Sequence, residues 1–254
     1  MTVRNSIYYF ADHCLEVRNS GLLEDAPLKA FSRERPYTTV STLYLEDAFS
    51  GSEEGVLLAE ESGVSIYERP DGRWVFQSTD TKNRCALEAS NEYKHLAGTA
   101  DTLNCKDSGV LRENFLQLLR IAEESFLCGH DGLSIHASCL AYKGTSVLFT
   151  APSGTGKSTQ AEIWIRHLEA KLVSGDRPHL HVLPDEVRAY GVPWDGKEQS
   201  FVQDSFPVSA IVEVRQSREN HIRVLTPDQA FAVLLKQSFI PMWDDERKFL
   251  AVRS

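Results

Sequence analysis

The stretch "FTAPSGTGKSTQ", Phe149 to Gln160, carries the residue types and spacing of a phosphate-binding (Walker A) loop. Such a loop needs small residues, so that several backbone N–H groups converge on phosphate oxygens. It needs a lysine as a mobile positive charge, and a hydroxyl that holds Mg2+ at the start of a helix whose dipole favours anions. Ser153, Gly154, Thr155 and Gly156 supply the bend, Lys157 the charge, and Ser158 and Thr159 the hydroxyls. The usual spacing, G-x-x-x-x-G-K-[ST], is met at every position but the first, which is Ala151. The competing reading is a glycine-rich strand-to-helix turn that holds nothing. Phosphoryl transfer also requires a metal carboxylate and a group that orients or deprotonates the acceptor. Asp176, in "KLVSGDRPHL", is the first downstream carboxylate at the end of a strand pattern, 19 residues after Lys157. That separation holds one helix and one returning strand, and it puts Asp176 where ligands of α/β sheets collect. A lone aspartate after a strand is otherwise a turn residue.

Weaker candidates surround these. Arg177 could neutralise charge developing on a transferred phosphoryl, or form a surface ion pair. "GVPWDGK" offers Trp194, Asp195 and Lys197 as a lip over the site, against a structured loop in which the tryptophan packs and the charges stay solvated. "PMWDDERKF" offers Asp244 and Asp245, read as a solvated terminus rather than a metal site. His136, taken alone, reads as a hydrogen-bonded core histidine.

The loop must be held by a strand before it, a helix after it and a strand returning. "LSIHASCLAYKGTSVLFT" has two apolar runs around Lys143-Gly144. A connection that short cannot cross a sheet, so the runs pair antiparallel, the second leading into the loop. "STQAEIWIRHLEA" reads as the helix and "KLVSG" (171–175) as the returning strand. "HLHVLPDEVRAYGVP" reads as a hairpin around Pro184-Asp185, "FPVSAIVEV" (206–214) as a buried strand and "HIRVL" (221–225) as a short one. "TPDQAFAVLLKQSF" reads as a helix: Thr226 can N-cap, Pro227 suits the first turn and Gln229 completes a capping box. Upstream, the first hundred residues read as short strands, with a hairpin turn at Pro70-Asp71-Gly72. "GLLEDAPLKAFSRERPY" reads as loop or short helix. Leu111, Phe115, Leu118, Leu119, Ala122 and Phe126 recur at helical spacing as a core stripe, and Gly129 suits its stop. The expected organisation is a β-rich N-terminal domain with a closing helix (1–125) and a mixed α/β nucleotide-binding domain (126–254).

The 254 residues suffice for one large domain or two modest ones, and 42% hydrophobic content supports a packed core. With 27 basic and 36 acidic side chains, the net charge is −9, which argues against nucleic-acid binding through bulk electrostatics. Five cysteines, an odd number without a CxxC pair, read as reduced cytosolic thiols rather than a disulfide framework or metal site. The N-terminus has no cationic start followed by an apolar core, and no run of about 18 apolar residues occurs. A cytoplasmic protein without signal peptide or membrane span is therefore expected.

"IHASCLAYKGTSVLFTAPSGTGKST", then "LVSGDRPHL", then "AYGVPWDGK" resemble, in order and spacing, the HPr kinase/phosphorylase family and its small bacterial relatives. The S-G-T-G-K loop style also occurs in ATP-dependent phosphoenolpyruvate carboxykinases. The resemblance spans roughly residues 130–240. It implies an ATP-dependent kinase on a carboxykinase-like mixed sheet with a mid-chain phosphate loop, using Mg2+. Ser153 to Thr159 then fall on the nucleotide loop, Lys157 bridging phosphates and Ser158 binding the metal. His136 falls on an active-site histidine, and Asp176 on the second aspartate of a family pair, touching metal or acceptor. The first aspartate of that pair, which the family associates with deprotonating the acceptor serine, is Gly175 here, and glycine moves no proton. Asp176 then takes both roles, His136 serves as base, or the protein binds ATP and transfers nothing. The Gly- and Glu-rich family element after the loop is replaced by "YGVPWDGKE", so HPr is not the expected acceptor, and a full carboxykinase is excluded by length and missing elements.

Two functions follow. One is a Mg-ATP-dependent kinase acting on a hydroxyl of a protein, peptide or small molecule. The other is a non-catalytic ATP-binding sensor that has lost its base at Gly175. The family assembles, which makes a homo-oligomer an expectation, and the β-rich N-terminus permits peptide recruitment by strand addition.

Overall fold

The computed structural model describes residues 5–11, 13–18, 21–23, 27–47, 49, 55–194 and 202–253. It is a mixed α/β protein with two β-sheets and four α-helices among these residues. The chain divides into two compact units, Met1–Gly129 with Pro241–Lys248, and His130–Ile240 with Phe249–Ser254. Among the described residues no helix is long and apolar enough to cross a membrane.

The first unit is built on β1 (Asn5–Phe10), β2 (His13–Arg18), β3 (Thr39–Glu46), β4 (Val56–Glu61), β5 (Val64–Glu68), β6 (Trp74–Ser78), β7 (Cys85–Ala89) and β8 (His95–Ala100). Their order in the sheet is β1-β2-β3-β8-β7-β6-β5-β4. The segment "GLLEDAPLKAFSRERPY" supplies two short 3-10 turns, Gly21–Leu23 and Pro27–Phe31. The turn at 70–72 closes the β5–β6 hairpin as expected; Gly72 takes φ +80°, which a side chain would resist. Helix α1 (Ser108–Cys128) starts at Asp107, whose carboxylate accepts from Gly109 N and Val110 N. The whole expected stripe from Leu111 to Phe126 is buried. Gly98 of β8 lets this helix approach, because a Cβ there would sit 2.5 Å from Phe115 Cζ.

Polar groups also lie beneath α1. His13 Nδ1 is 2.9 Å from Glu123 Oε2, its Nε2 is 2.6 Å from Ser41 Oγ, and its ring stacks on Phe126 at 4.4 Å. The expectation of a solvated 244–245 pair is corrected. Asp244 is buried, accepts from Tyr93 Oη (3.1 Å), and accepts from Arg247 N (3.0 Å) at the start of α4 (Asp245–Arg253), a helix the sequence reading lacks. Only Asp245 stays exposed, paired with Lys248.

The second unit contains β9 (Gly132–Ser134), β10 (Ala137–Tyr142), β11 (Thr145–Thr150), α2 (Lys157–Leu168), β12 (Lys171–Ser174), β13 (His179–Val182), β14 (Val187–Tyr190), β15 (Ser205–Glu213) and α3 (Pro227–Gln237). The sheet order is β12-β10-β11-β15-β14-β13-β9. The hairpins at Lys143-Gly144 and Pro184-Asp185 form as expected, and β15 runs parallel to β11. One face packs Leu140, Val147 and Phe149 against Ala161 and Trp164 of α2. The other packs Ile135, Cys139, Leu148 and Val173 with Leu234 of α3. The capping box at Thr226 and Gln229 is present. Two expectations fail. Strand β15 is half-buried to exposed rather than buried. Residues 221–225 form no strand: both edges of β15 are taken by β11 and β14, so the segment has no ladder to join there, and Val224 is 97% exposed.

Two measurements test this packing. Gly98→Ala is expected to lower unfolding stability by roughly 1–3 kcal/mol in urea, through overpacking against Phe115. All five cysteines are free, and burial pushes the thiols of Cys85, Cys128 and Cys139 up to about 12. At pH 8 they are almost wholly protonated, so iodoacetamide should label the less buried Cys105 well before them, as read by mass spectrometry.

Candidate active site

Strand β11 carries the loop. Its antiparallel partner β10 is itself antiparallel to β12, while β15 is parallel to β11. The C-terminal ends of β11, β12 and β15 and the N-terminal end of β10 therefore share one edge of the sheet. Neighbouring strands lie about 4.8 Å apart, so the ends of β11 and β12 are separated by roughly 10 Å across β10.

The loop leaves β11 at Ala151, which is fully buried and has an ordinary negative φ, so this position does not require glycine. Thr155 N turns back to Pro152 O at 3.3 Å. Gly154 and Gly156 take φ of +77° and +118°, conformations that side chains resist. A Cβ at either would meet nothing within 4 Å, so the space beside them is open. Lys157 is buried, and its Nζ donates to Ala151 O at 2.9 Å, tying the two ends of the loop together. Ser153, Gly154, Ser158 and Thr159 are exposed, and Thr155 and Gly156 half-buried.

Helix α2 opens on Gly156 with no side-chain cap and no acidic residue in its first turn. Helices α1, α3 and α4 begin instead on carboxylate or hydroxyl acceptors from Asp107, Thr226 and Asp244. No side chain at this helix start competes for the first N–H groups of α2, and the helix dipole adds positive potential there.

His136 and Asp176 meet at the same edge. His136 Nε2 is 3.3 Å from Asp176 Oδ1, with side chains 26% and 39% exposed. Ala137 N donates to Asp176 O at 2.8 Å, and Ser138 Oγ to Gly175 O at 3.1 Å. On the other side Thr150 Oγ1 donates to His136 O at 2.9 Å, joining the pair to the last residue before the loop. His136 is therefore not a core histidine. Arg177 follows, half-buried, and His179 lies 5.7 Å from Trp194 between ring centroids. Trp194 packs here, while Asp195 and Lys197 lie outside the described residues.

Sequence reasoning missed Glu213. It stands in register with Thr150 across the β11–β15 ladder, and Val214 N donates to Thr150 O at 2.9 Å. Its carboxylate is paired with Arg215 at 2.8 Å. The only local signal is a glutamate ending an apolar run; its nearness to the loop follows from a parallel pairing between strands about 60 residues apart. Among the described residues no group of three or more His, Cys, Asp or Glu side chains is arranged to hold a metal by itself.

No protein-family model matches the chain, and no curated protein matches it in sequence.

The exposure of the His136–Asp176 pair separates a functional from a structural role. Surface ion pairs contribute about 0–1 kcal/mol. Asp176→Asn is therefore expected to change urea unfolding stability by less than about 1 kcal/mol while shifting the His136 imidazole resonances in NMR spectra; a larger loss would make the pair a structural anchor.

Proposed function

We propose that this chain is a Mg-ATP-dependent kinase that transfers the γ-phosphoryl of ATP to a hydroxyl of a protein, peptide or small-molecule acceptor. The observation that carries the reading is the meeting, at one sheet edge, of the uncapped Gly156–Lys157 helix start and the His136–Asp176 pair. The antiparallel hairpin directly before the loop is the arrangement that the resemblance to HPr kinases and the carboxykinase-like sheet call for.

The residues fit a triphosphate and its metal. The loop has open space beside its glycines, a helix start without a side-chain cap, a lysine and two exposed hydroxyls. Lys157 would supply positive charge at the phosphates, and Ser158 with Asp176 would hold Mg2+. When bound, that ion neutralises phosphate charge. In the transfer, the acceptor oxygen forms a bond to the γ-phosphorus as the bond to the β–γ bridging oxygen breaks, and ADP leaves. The hydroxyl proton passes to Asp176, since Gly175 has no side chain and the Glu213 carboxylate at the same edge is held by Arg215. His136 orients that carboxylate through Oδ1. Arg177 is placed in sequence to offset charge on the phosphoryl group.

A second reading is favoured by Gly175, whose carbonyl is already engaged by Ser138 Oγ. It is a nucleotide sensor that binds ATP and transfers nothing.

Calorimetry with Mg-ATP and radiolabelled transfer to serine-bearing acceptors test both. Lys157→Ala is expected to weaken ATP binding at least tenfold; an unchanged dissociation constant, or no uptake by the parent protein, refutes the nucleotide site. Asp176→Asn is expected to keep binding and abolish transfer. Tight binding with neither transfer nor hydrolysis by the parent protein would select the sensor.

A further inference from the structure

The open face of the first unit's sheet carries a second site. Cross-strand register puts Tyr44, Ala97, Glu88 and Val75 in one row, and Glu46, Thr99 and Ala86 in the next. Residues in register share a face. The alanines sink the middle of both rows, leaving an open depression of about 180 Å3. Small-molecule pockets are commonly about 300–1,000 Å3, so this one is sized for a single long side chain.

Charge and hydrogen-bonding capacity specify what enters. Arg69 pairs with Glu88 at 3.1 Å, and Arg73 holds the other Glu88 oxygen and Asp71, so these four charges balance. Glu46 is exposed and has no cationic partner among the described residues. Tyr44, half exposed two positions before it on the same strand face, offers a ring to a cation. Thr99 Oγ1 and Arg69 Nε are shielded from solvent yet have no hydrogen-bond partner among the described residues. Both lie beneath the floor of the depression, so the groups open to a ligand are the Glu46 carboxylate and the Tyr44 ring.

We infer that this depression binds a peptide segment through one lysine or arginine side chain. The stem lies over Ala86 and Ala97, and the charge meets Glu46 and the Tyr44 ring. The inference goes beyond the nucleotide reading and needs no ATP.

The test uses the full chain without nucleotide. Fluorescein-labelled Gly-Ala-Lys-Ala-Gly-amide is titrated by anisotropy beside the same peptide with norleucine for lysine. The lysine peptide is expected to bind at least about fivefold more tightly, and Glu46→Gln to erase that difference without altering the circular dichroism spectrum. Ala97→Leu, which fills the depression, is expected to remove binding of both peptides; should it fail to fold, Glu46→Gln decides alone. Equal affinity for the two peptides, a preference that survives Glu46→Gln, or no saturable binding of the lysine peptide overturns the inference, whatever the outcome with ATP.

Discussion

The candidate site depends on the antiparallel seam between β10 and β12. Two contacts fix it at the loop end, Ala137 N to Asp176 O and Ser138 Oγ to Gly175 O. They set side by side two residues that are 40 positions apart in sequence, with His136 Nε2 3.3 Å from Asp176 Oδ1. A slip of one residue would turn the Asp176 side chain to the other face of the sheet, because side chains alternate along a strand. Thr150 extends the same arrangement to the loop by holding the His136 carbonyl. The geometry is thus carried by a main-chain contact and a serine hydroxyl just beyond the ladder, and the His136 and Asp176 side chains are left partly exposed.

The first unit solves a different problem. One face of its sheet is closed by the apolar stripe of α1, and that closure takes His13, Glu123 and Ser41 out of water with it. A buried charge is tolerated only when paired and hydrogen-bonded. Contacts of 2.9 and 2.6 Å link the three through the His13 ring, while Glu123 Oε1 has no hydrogen-bond partner among the described residues, so α1 is matched to β2 and β3 by polarity as well as by shape. The opposite face is left to small and charged residues, and the ion pairs around Glu88 are spread over it.

Local pattern revealed the parts whose physics is local. The hairpins announced themselves by their turn residues, α1 by its 3.6-residue stripe, α3 by its capping box, and the loop by its small residues followed by lysine. What escaped depends on partners distant in sequence. "HIRVL" has the composition of a strand but no free edge of β15 to join. Strand β15 is apolar yet half exposed, because burial reflects what covers a strand and not what it contains. Asp244 looked solvated because nothing in "PMWDDERKF" points to Tyr93, 151 residues away. Glu213 became visible only with the parallel β11–β15 ladder, and the meeting of His136 with Asp176 rested on family resemblance until the seam with β12 supplied a physical cause.

The alanine at position 151, where the usual pattern has glycine, has a consequence of its own. Its methyl group is packed away from solvent, its backbone torsion is one any residue adopts, and its carbonyl holds the lysine ammonium. Glycine there would leave a methyl-sized void and give the unfolded chain more freedom to lose on folding. The departure from the pattern therefore narrows the conformations open to the loop's entry and leaves the positive-φ positions to Gly154 and Gly156.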